Sequence, residues 1–239
     1  MSKVISAAGV VVLKESGHDE PFEVLLLKRN ESLKVHAGAW VFPGGKFDAS
    51  DFAAINMNPA EVDIRQAPTL NKDELIQVAA QAAIRETFEE AGIELSEHDI
   101  QLHSRWLSPE QINKRFDTHF FMTITSSDKV TVDGHEIVDY QWISPSLAIK
   151  TLQNKAHTMP PATFVTLANL QKHETASQAF EALCLKPMYY RPKRIVTEAG
   201  FDSIYEEDIG YDSEDCAQKS GPRHRLIIDS GSYEYISEY

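Results

Sequence analysis

Arg85-Glu86-Thr87-Phe88-Glu89-Glu90-Ala91-Gly92 sets three carboxylates and a guanidinium within about two helical turns. The surrounding residues predict a helix over 71–92. Asn71 offers an N-cap with Glu74 three residues on, the start of a capping box. Leu75, Val78, Ala79, Ala82, Ala83 and Phe88 recur at helical spacing, and Gly92 suits the left-handed residue that ends a helix. On such a helix Glu86 lies i,i+3 from Glu89 and i,i+4 from Glu90, so all three share one face. Their place in the last turn sets them against the helix dipole, where stability alone would favour Lys or Arg. Arg85, four residues before Glu89, supplies one opposing charge. An exposed acidic helix end would carry the same residues. Three hard oxygen donors on one face are equally the ligand set of Mg²⁺ or Mn²⁺.

Upstream, Trp40-Val41-Phe42-Pro43-Gly44-Gly45 reads as a short strand running into a glycine turn whose backbone can approach a metal or phosphate closely. Gly45, five residues and Asp51 follow, then the helix. Together these residues resemble the Nudix hydrolase box, Gly-x5-Glu-x7-Arg-Glu-U-x-Glu-Glu-x-Gly-U with U apolar. The second half matches at Arg85, Glu86, Glu89, Glu90 and Gly92, with Thr87 a weak U and Ile93 a good one. The first half matches Gly45 and has Asp51 for Glu. Eight residues before Arg85 stands Gln77 rather than an acid, so an insertion of roughly two dozen residues, centred on 52–70, parts the two halves.

The resemblance implies an α/β/α sandwich with a mixed sheet that hydrolyses a diphosphate linked to another moiety. It implies that Glu86, Glu89 and Glu90 hold Mg²⁺ or Mn²⁺ together with the Gly44 carbonyl. It also implies that Arg85 belongs to the catalytic group, and that Glu86 or Glu89 acts as the base. Metal would neutralise the phosphate charge that otherwise repels a nucleophile. The family often draws a further acid from a loop beyond the helix, for which Glu136 is the first choice and Asp117 the second. Homodimers are frequent in the family.

A second pattern narrows the substrate. Leu25-Leu26-Leu27-x-Arg29-x3-Leu33-x2-His36-x-Gly38 is similar to the motif that precedes the box in coenzyme A diphosphatases. The long insertion, Arg115-Phe116-Asp117-Thr118-x-Phe120-Phe121 and Met159-Pro160-Pro161-x-Thr163 resemble the peroxisomal branch of that group, although the chain ends Ser-Glu-Tyr rather than in a Ser-Lys-Leu-like signal. The expected substrate-binding residues are Arg29, Gly45, Asp51 and Glu136. Arg29 is a natural fork for phosphate, either the diphosphate or the 3′-phosphate. His36 is read as substrate-adjacent, and Trp40, Phe42, Phe47, Trp106 and Trp142 as core. Two alternatives stand beside coenzyme A: a diphosphatase of ADP-ribose or dinucleotides, and a nucleotide sensor without catalysis. Nudix-like sensors carry a basic partner domain, whereas residues 145–239 hold 10 Lys+Arg against 13 Asp+Glu.

The whole chain of 239 residues carries a formal charge of −13, which argues against broad nucleic-acid binding. Two cysteines, Cys184 and Cys216, are too few for a disulfide framework, and none of the nine histidines forms a spaced metal pair. The N-terminus lacks the apolar core of a signal peptide, and no segment reaches the ~18 apolar residues of a membrane span. A cytoplasmic protein is expected, with one domain over 1–239 and a C-terminal extension from about 171. Strands are expected at 4–14, 22–29, 100–107, 118–125 and 137–143, and helices at 146–152 and 161–170. The insertion reads as an irregular surface excursion with at most a short helical turn. Residues 196–218 hold eight acids and no Lys or Arg, and read as a solvated loop. The flanks 189–195 and 223–228 are expected to pair across it.

Overall fold

The computed structural model describes residues 4–16, 21–58, 70–154, 157–212 and 220–238. Strand β1 (Val4–Glu15) is buried from Ser6 to Leu13, an apolar run that suits a central strand covered on both faces. It runs parallel to β6 (Arg115–Ile124) from the Val4↔Arg115 pair to the Leu13↔Ile124 pair. Its other edge takes β2 (Phe22–Arg29) at one end and the short β4 (Gly44–Lys46) at the other, both antiparallel. With β3 (Trp40–Val41), β5 (Gln101–Leu107), β7 (Ile137–Ile143) and β8 (Met188–Tyr190), the order is β3-β2-β1-β6-β5-β8, with β4 on β1 and β7 on β2. The parallel pairs β1–β6 and β5–β8 make the sheet mixed.

Helices cover both faces. Helix α2 (Lys72–Ala91) follows the short α1 (Ala49–Ala54) and starts as expected: the Asn71 side chain accepts from the N–H groups of Asp73 and Glu74, and the Glu74 carboxylate accepts from Asn71 N–H. It ends at Gly92, at φ +67°. Val78, Ala79, Ala82 and Ala83 pack against Ala8, Val10 and Val12, the alternate residues of β1. The small alanines let the helix lie close to the sheet. Val11 and Leu13 point the other way and join a core with α3 (Pro145–Gln153), α4 (Pro161–Leu170) and α5 (Ala176–Leu185). Each fully buried Val or Leu contributes roughly 1.5–3 kcal/mol. The result is an α/β/α arrangement. Among the described residues no helix is long and apolar enough to cross a membrane.

The region after 171 departs most from expectation. Strands β9 (Lys193–Val196), β10 (Gly200–Ile204), β11 (His224–Asp229) and β12 (Ser232–Ser237) form a second, antiparallel sheet in the order β12-β11-β10-β9. The expected pairing of 189–195 with 223–228 is not made, because β10 lies between them and pairs with both. Thr197 closes the β9–β10 turn, accepting Gly200 N–H on its side chain and donating its own N–H to Gly200 O. The acidic run is therefore not simply a solvated loop. Asp208 is buried and forms a two-pronged ion pair with Arg225 at 2.6 and 2.7 Å, and Glu206 pairs with Arg191. The basic flanks fold back onto the acids. Tyr205, Leu226 and Ile228 of this sheet share one core cluster with β1 and the helices α3–α5.

The start of the expected insertion is also built in. Helix α1, capped by Asp48, buries Asp51 and Phe52, so the first residues of 52–70 belong to the core side of the fold. Six residues are too few to show a helical period. Residues 59–69 lie outside the described residues.

Candidate active site

Two glycines let the turn before α2 wedge between β1 and the helix. Gly44 has φ +156°, and a Cβ there would stand 2.5 Å from the Ala8 carbonyl oxygen and 2.6 Å from Gly9 Cα. A Cβ on Gly45 would fall 2.3 Å from Cδ of Glu86. No other residue type leaves space for that carboxylate.

Gly44 N–H donates to Oε2 of Glu90 at 2.8 Å, and Nη1 of Arg29 stands 3.7 Å from Oε1. Glu90 is 5% exposed. Burial pushes its pKa up to about 8, against the pull of the Gly44 N–H, and the Glu86 charge adds to the rise. Burial raises the Glu86 pKa as well, with Arg85 opposing. Glu90 is buried and Glu86 partly so, and each has a single guanidinium nearby, Arg29 for Glu90 and Arg85 for Glu86.

Arg85 is the organiser of the helix end. Its guanidinium holds Asp51 at 2.9 and 3.0 Å, Glu86 at 2.9 Å, Glu89 at 3.1 Å and the Lys46 carbonyl at 3.0 Å. Asp51 is 2% exposed and also caps α1 by accepting Asp48 N–H at 2.7 Å. It does not line the cleft, contrary to its expected place among the substrate-binding residues. Both of its oxygens are already used, so it anchors Arg85. Glu89 stands at the rim, half exposed.

The other expected residues divide. Glu136 lines the cleft and stands 3.7 Å from Nη2 of Arg29, so Arg29 sits between Glu90 and Glu136. Asp117 does not enter; it forms a two-pronged pair with Arg105 at 2.8 and 2.6 Å. His36 lines the cleft; Trp40, Phe42, Phe47 and Trp106 are buried, and Phe42 and Trp106 also form part of the cleft wall. Trp142 is only partly buried, with Lys14 over its ring at 4.6 Å.

The cleft is about 900 Å³. Glu86, Glu89 and Glu90 lie at one part of its wall, and Arg194, Phe201, Ser203 and Tyr205 of the second sheet and its edge contribute another. Sequence reasoning missed these last residues. The alternation Phe201-x-Ser203-x-Tyr205, one face of a strand, was the available sign.

Among the described residues no three acidic, His or Cys side chains stand ready-made around a metal, because Arg85 draws Glu86 and Glu89 toward itself. The donor chemistry nevertheless fits a hard divalent cation. A buried carboxylate and a partly buried one, both pushed toward protonation by burial, face a turn stripped of side chains.

Comparison with known proteins agrees with this geometry. Residues 72–165 match the NUDIX domain family. The chain is 23% identical to the acyl-coenzyme A diphosphatase NUDT19 of Xenopus laevis, over 91% of this chain and 83% of that protein. It is 25% identical to the human protein of the same name, over 66% of this chain and 63% of that one. The crystal structure of a NUDIX hydrolase from Alicyclobacillus acidocaldarius superimposes with a TM-score of 0.62 at 21% identity, covering 78% of this chain and all of that one, and so shares the fold.

Proposed function

We propose that this chain, which carries a Nudix domain, hydrolyses the diphosphate linkage of coenzyme A or an acyl-coenzyme A, giving 3′,5′-ADP and a 4′-phosphopantetheine species. The observation that carries the reading is the closure of α2 on the glycine turn, with Glu90 held by Gly44 N–H and Arg29. The similarity to acyl-coenzyme A diphosphatases over most of the chain supports the substrate.

Glu86, Glu90 and the Gly44 carbonyl, with Glu89 from the rim, would hold Mg²⁺ or Mn²⁺. The ion would supply the positive charge that the diphosphate oxygens and the buried carboxylates need. The chain's own groups do the rest. Arg29, set between Glu90 and Glu136, offers its guanidinium to the diphosphate. Arg85 fixes the rotamers of Glu86 and Glu89. Either of these carboxylates takes the proton from the attacking water as its oxygen bonds to phosphorus and the bridging P–O bond breaks. The Glu86 carboxyl fills the space where a Gly45 side chain would stand, so the helix end lies directly against the turn.

A substrate panel tests the proposal. Purified protein with Mg²⁺ or Mn²⁺ should release 3′,5′-ADP from coenzyme A and short acyl-coenzyme A esters, as read by chromatography. Turnover of ADP-ribose or NADH with none of coenzyme A would replace the substrate. Tight nucleotide binding without turnover of any of them would favour a sensor.

A further inference from the structure

We propose that Arg194 forms a second anion subsite in the cleft, one that reads a monophosphate on the nucleoside half of the substrate. The inference rests on the coenzyme A reading and assigns the 3′-phosphate to a residue of the second sheet.

Charge is distributed unevenly around the cleft. Glu86, Glu90 and Glu136 gather at the glycine turn, and Arg29, the guanidinium that lines that part, is already set against two of them. Arg194 is different. It lines the cleft from β9, and its guanidinium lies over the Phe201 ring with Cζ 3.9 Å from the centroid. Its Nε is buried and has no hydrogen-bond acceptor, and no carboxylate among the described residues pairs with it. The neighbouring Arg191, Arg223 and Arg225 all have acidic partners. In a chain with 36 acids and 23 bases, a partly buried guanidinium whose buried Nε meets no acceptor is out of pattern.

An aromatic platform fixes the plane of a guanidinium while leaving its edge donors available, the arrangement suited to a two-pronged grip on a phosphate. Ser203, directly paired with Arg194 across the β9–β10 ladder, lines the same wall and offers a hydroxyl. Lys114, over Phe116 at 5.5 Å, adds a further positive charge to the cleft. A ligand that meets both parts has a diphosphate for the carboxylate end and a separate monophosphate for Arg194. Coenzyme A has both; ADP-ribose and NADH lack the second.

The test is the ratio of kcat/KM for coenzyme A to that for dephospho-coenzyme A, in the wild type, Arg194→Gln, Arg194→Lys and Phe201→Leu. The wild type should prefer coenzyme A by about 10- to 100-fold, mostly through KM, as expected for one charge-assisted contact. Arg194→Gln should bring the ratio close to one. Arg194→Lys should keep part of it, and Phe201→Leu should lower it several-fold. Calorimetry supplies a readout without turnover: 3′,5′-ADP should bind more tightly than 5′-AMP to the wild type and not to Arg194→Gln. If Arg194→Gln does not fold, as judged by thermal melting, Arg194→Lys and Phe201→Leu decide. Wild-type cleavage of coenzyme A with a ratio unchanged in all variants overturns the subsite alone. No cleavage of coenzyme A by the wild type overturns the subsite and the substrate together.

Discussion

Gly44 N–H and the Glu90 carboxylate meet at 2.8 Å across 46 residues of sequence, which ties the end of α2 to the glycine turn on β1. Replacing the charge keeps the tie. Glu90→Gln retains an acceptor for Gly44 while removing the oxygen charge a divalent ion would need. We expect kcat to fall by about a thousandfold, near 4 kcal/mol at ~1.4 kcal/mol per tenfold. Thermal melting of the metal-free protein should be unchanged or raised, since a buried carboxylate in a site short of positive charge is lost. Activity of the wild type should vanish in EDTA and return with Mg²⁺ or Mn²⁺. Full activity in chelator would remove the metal from the mechanism.

Gly45→Ala probes the space beside Glu86. Its Cβ would stand 2.3 Å from the Glu86 carboxyl carbon, so the side chain must swing away. The Glu86 tip is flexible, so folding should survive while kcat/KM drops at least about tenfold, ~1.4 kcal/mol. Kinetics equal to wild type would show that Glu86 need not lie against the turn.

Asp51→Asn separates anchoring from chemistry. It leaves Arg85 with a neutral partner at a site that is 2% exposed. Stability should fall by about 3 kcal/mol, as when one partner of a buried ion pair is removed. As Arg85 loses its seat, kcat should fall while KM stays close to wild type. Urea titration and steady-state kinetics together check it. A rise in KM alone would return Asp51 to substrate binding.

Acid should weaken the fold through two histidines away from the carboxylates. Burial lowers the pKa of His103 to about 4, against a hydrogen bond to the Leu183 backbone. Burial also lowers His119 to about 4, with Asp117 opposing and Arg105 adding. Each is neutral in the folded chain and takes up its proton more readily when unfolded. Their contribution is therefore present above the ordinary 6.5 and is lost as pH falls toward 4. Each amounts to about 3 kcal/mol at full effect. Because the raised pKa values of Glu86 and Glu90 act in the opposite direction, the check is a difference: between pH 7 and pH 4 the denaturant midpoint of His103→Gln should fall less, or rise more, than that of the wild type.

What could be read without coordinates was what local chemistry decides. Asn71, Glu74 and Gly92 bound α2 by capping alone, and the Val- and Leu-rich apolar runs of β1 and β2 showed in a few residues each. In the second sheet β9 and β11 fall near the expected flanks 189–195 and 223–228, but β10 and β12, five and six residues long, stayed hidden. Its charges also cancel only in space: Asp208 meets Arg225 across a bend that no spacing rule foresees. Asp51 was misplaced for a related reason. Its distance from the box helix concealed that it completes the grip on Arg85 rather than facing the cleft.

The parallel pairing of β1 with β6 bears on how the chain is born. Val4 faces Arg115, so the partner of the first strand lies about 110 residues downstream. At 5–20 residues per second a ribosome needs roughly 5–20 s to deliver it. Through that interval Val10 and Val12 can be covered by α2, while Val11 and Leu13, whose face meets α3–α5 in the finished protein, have only the hairpin with β2 and the docking of β4 beside them. Nascent chains halted before Arg115 should therefore stick to holdase chaperones and to one another, and chains extended past Ile124 should let go.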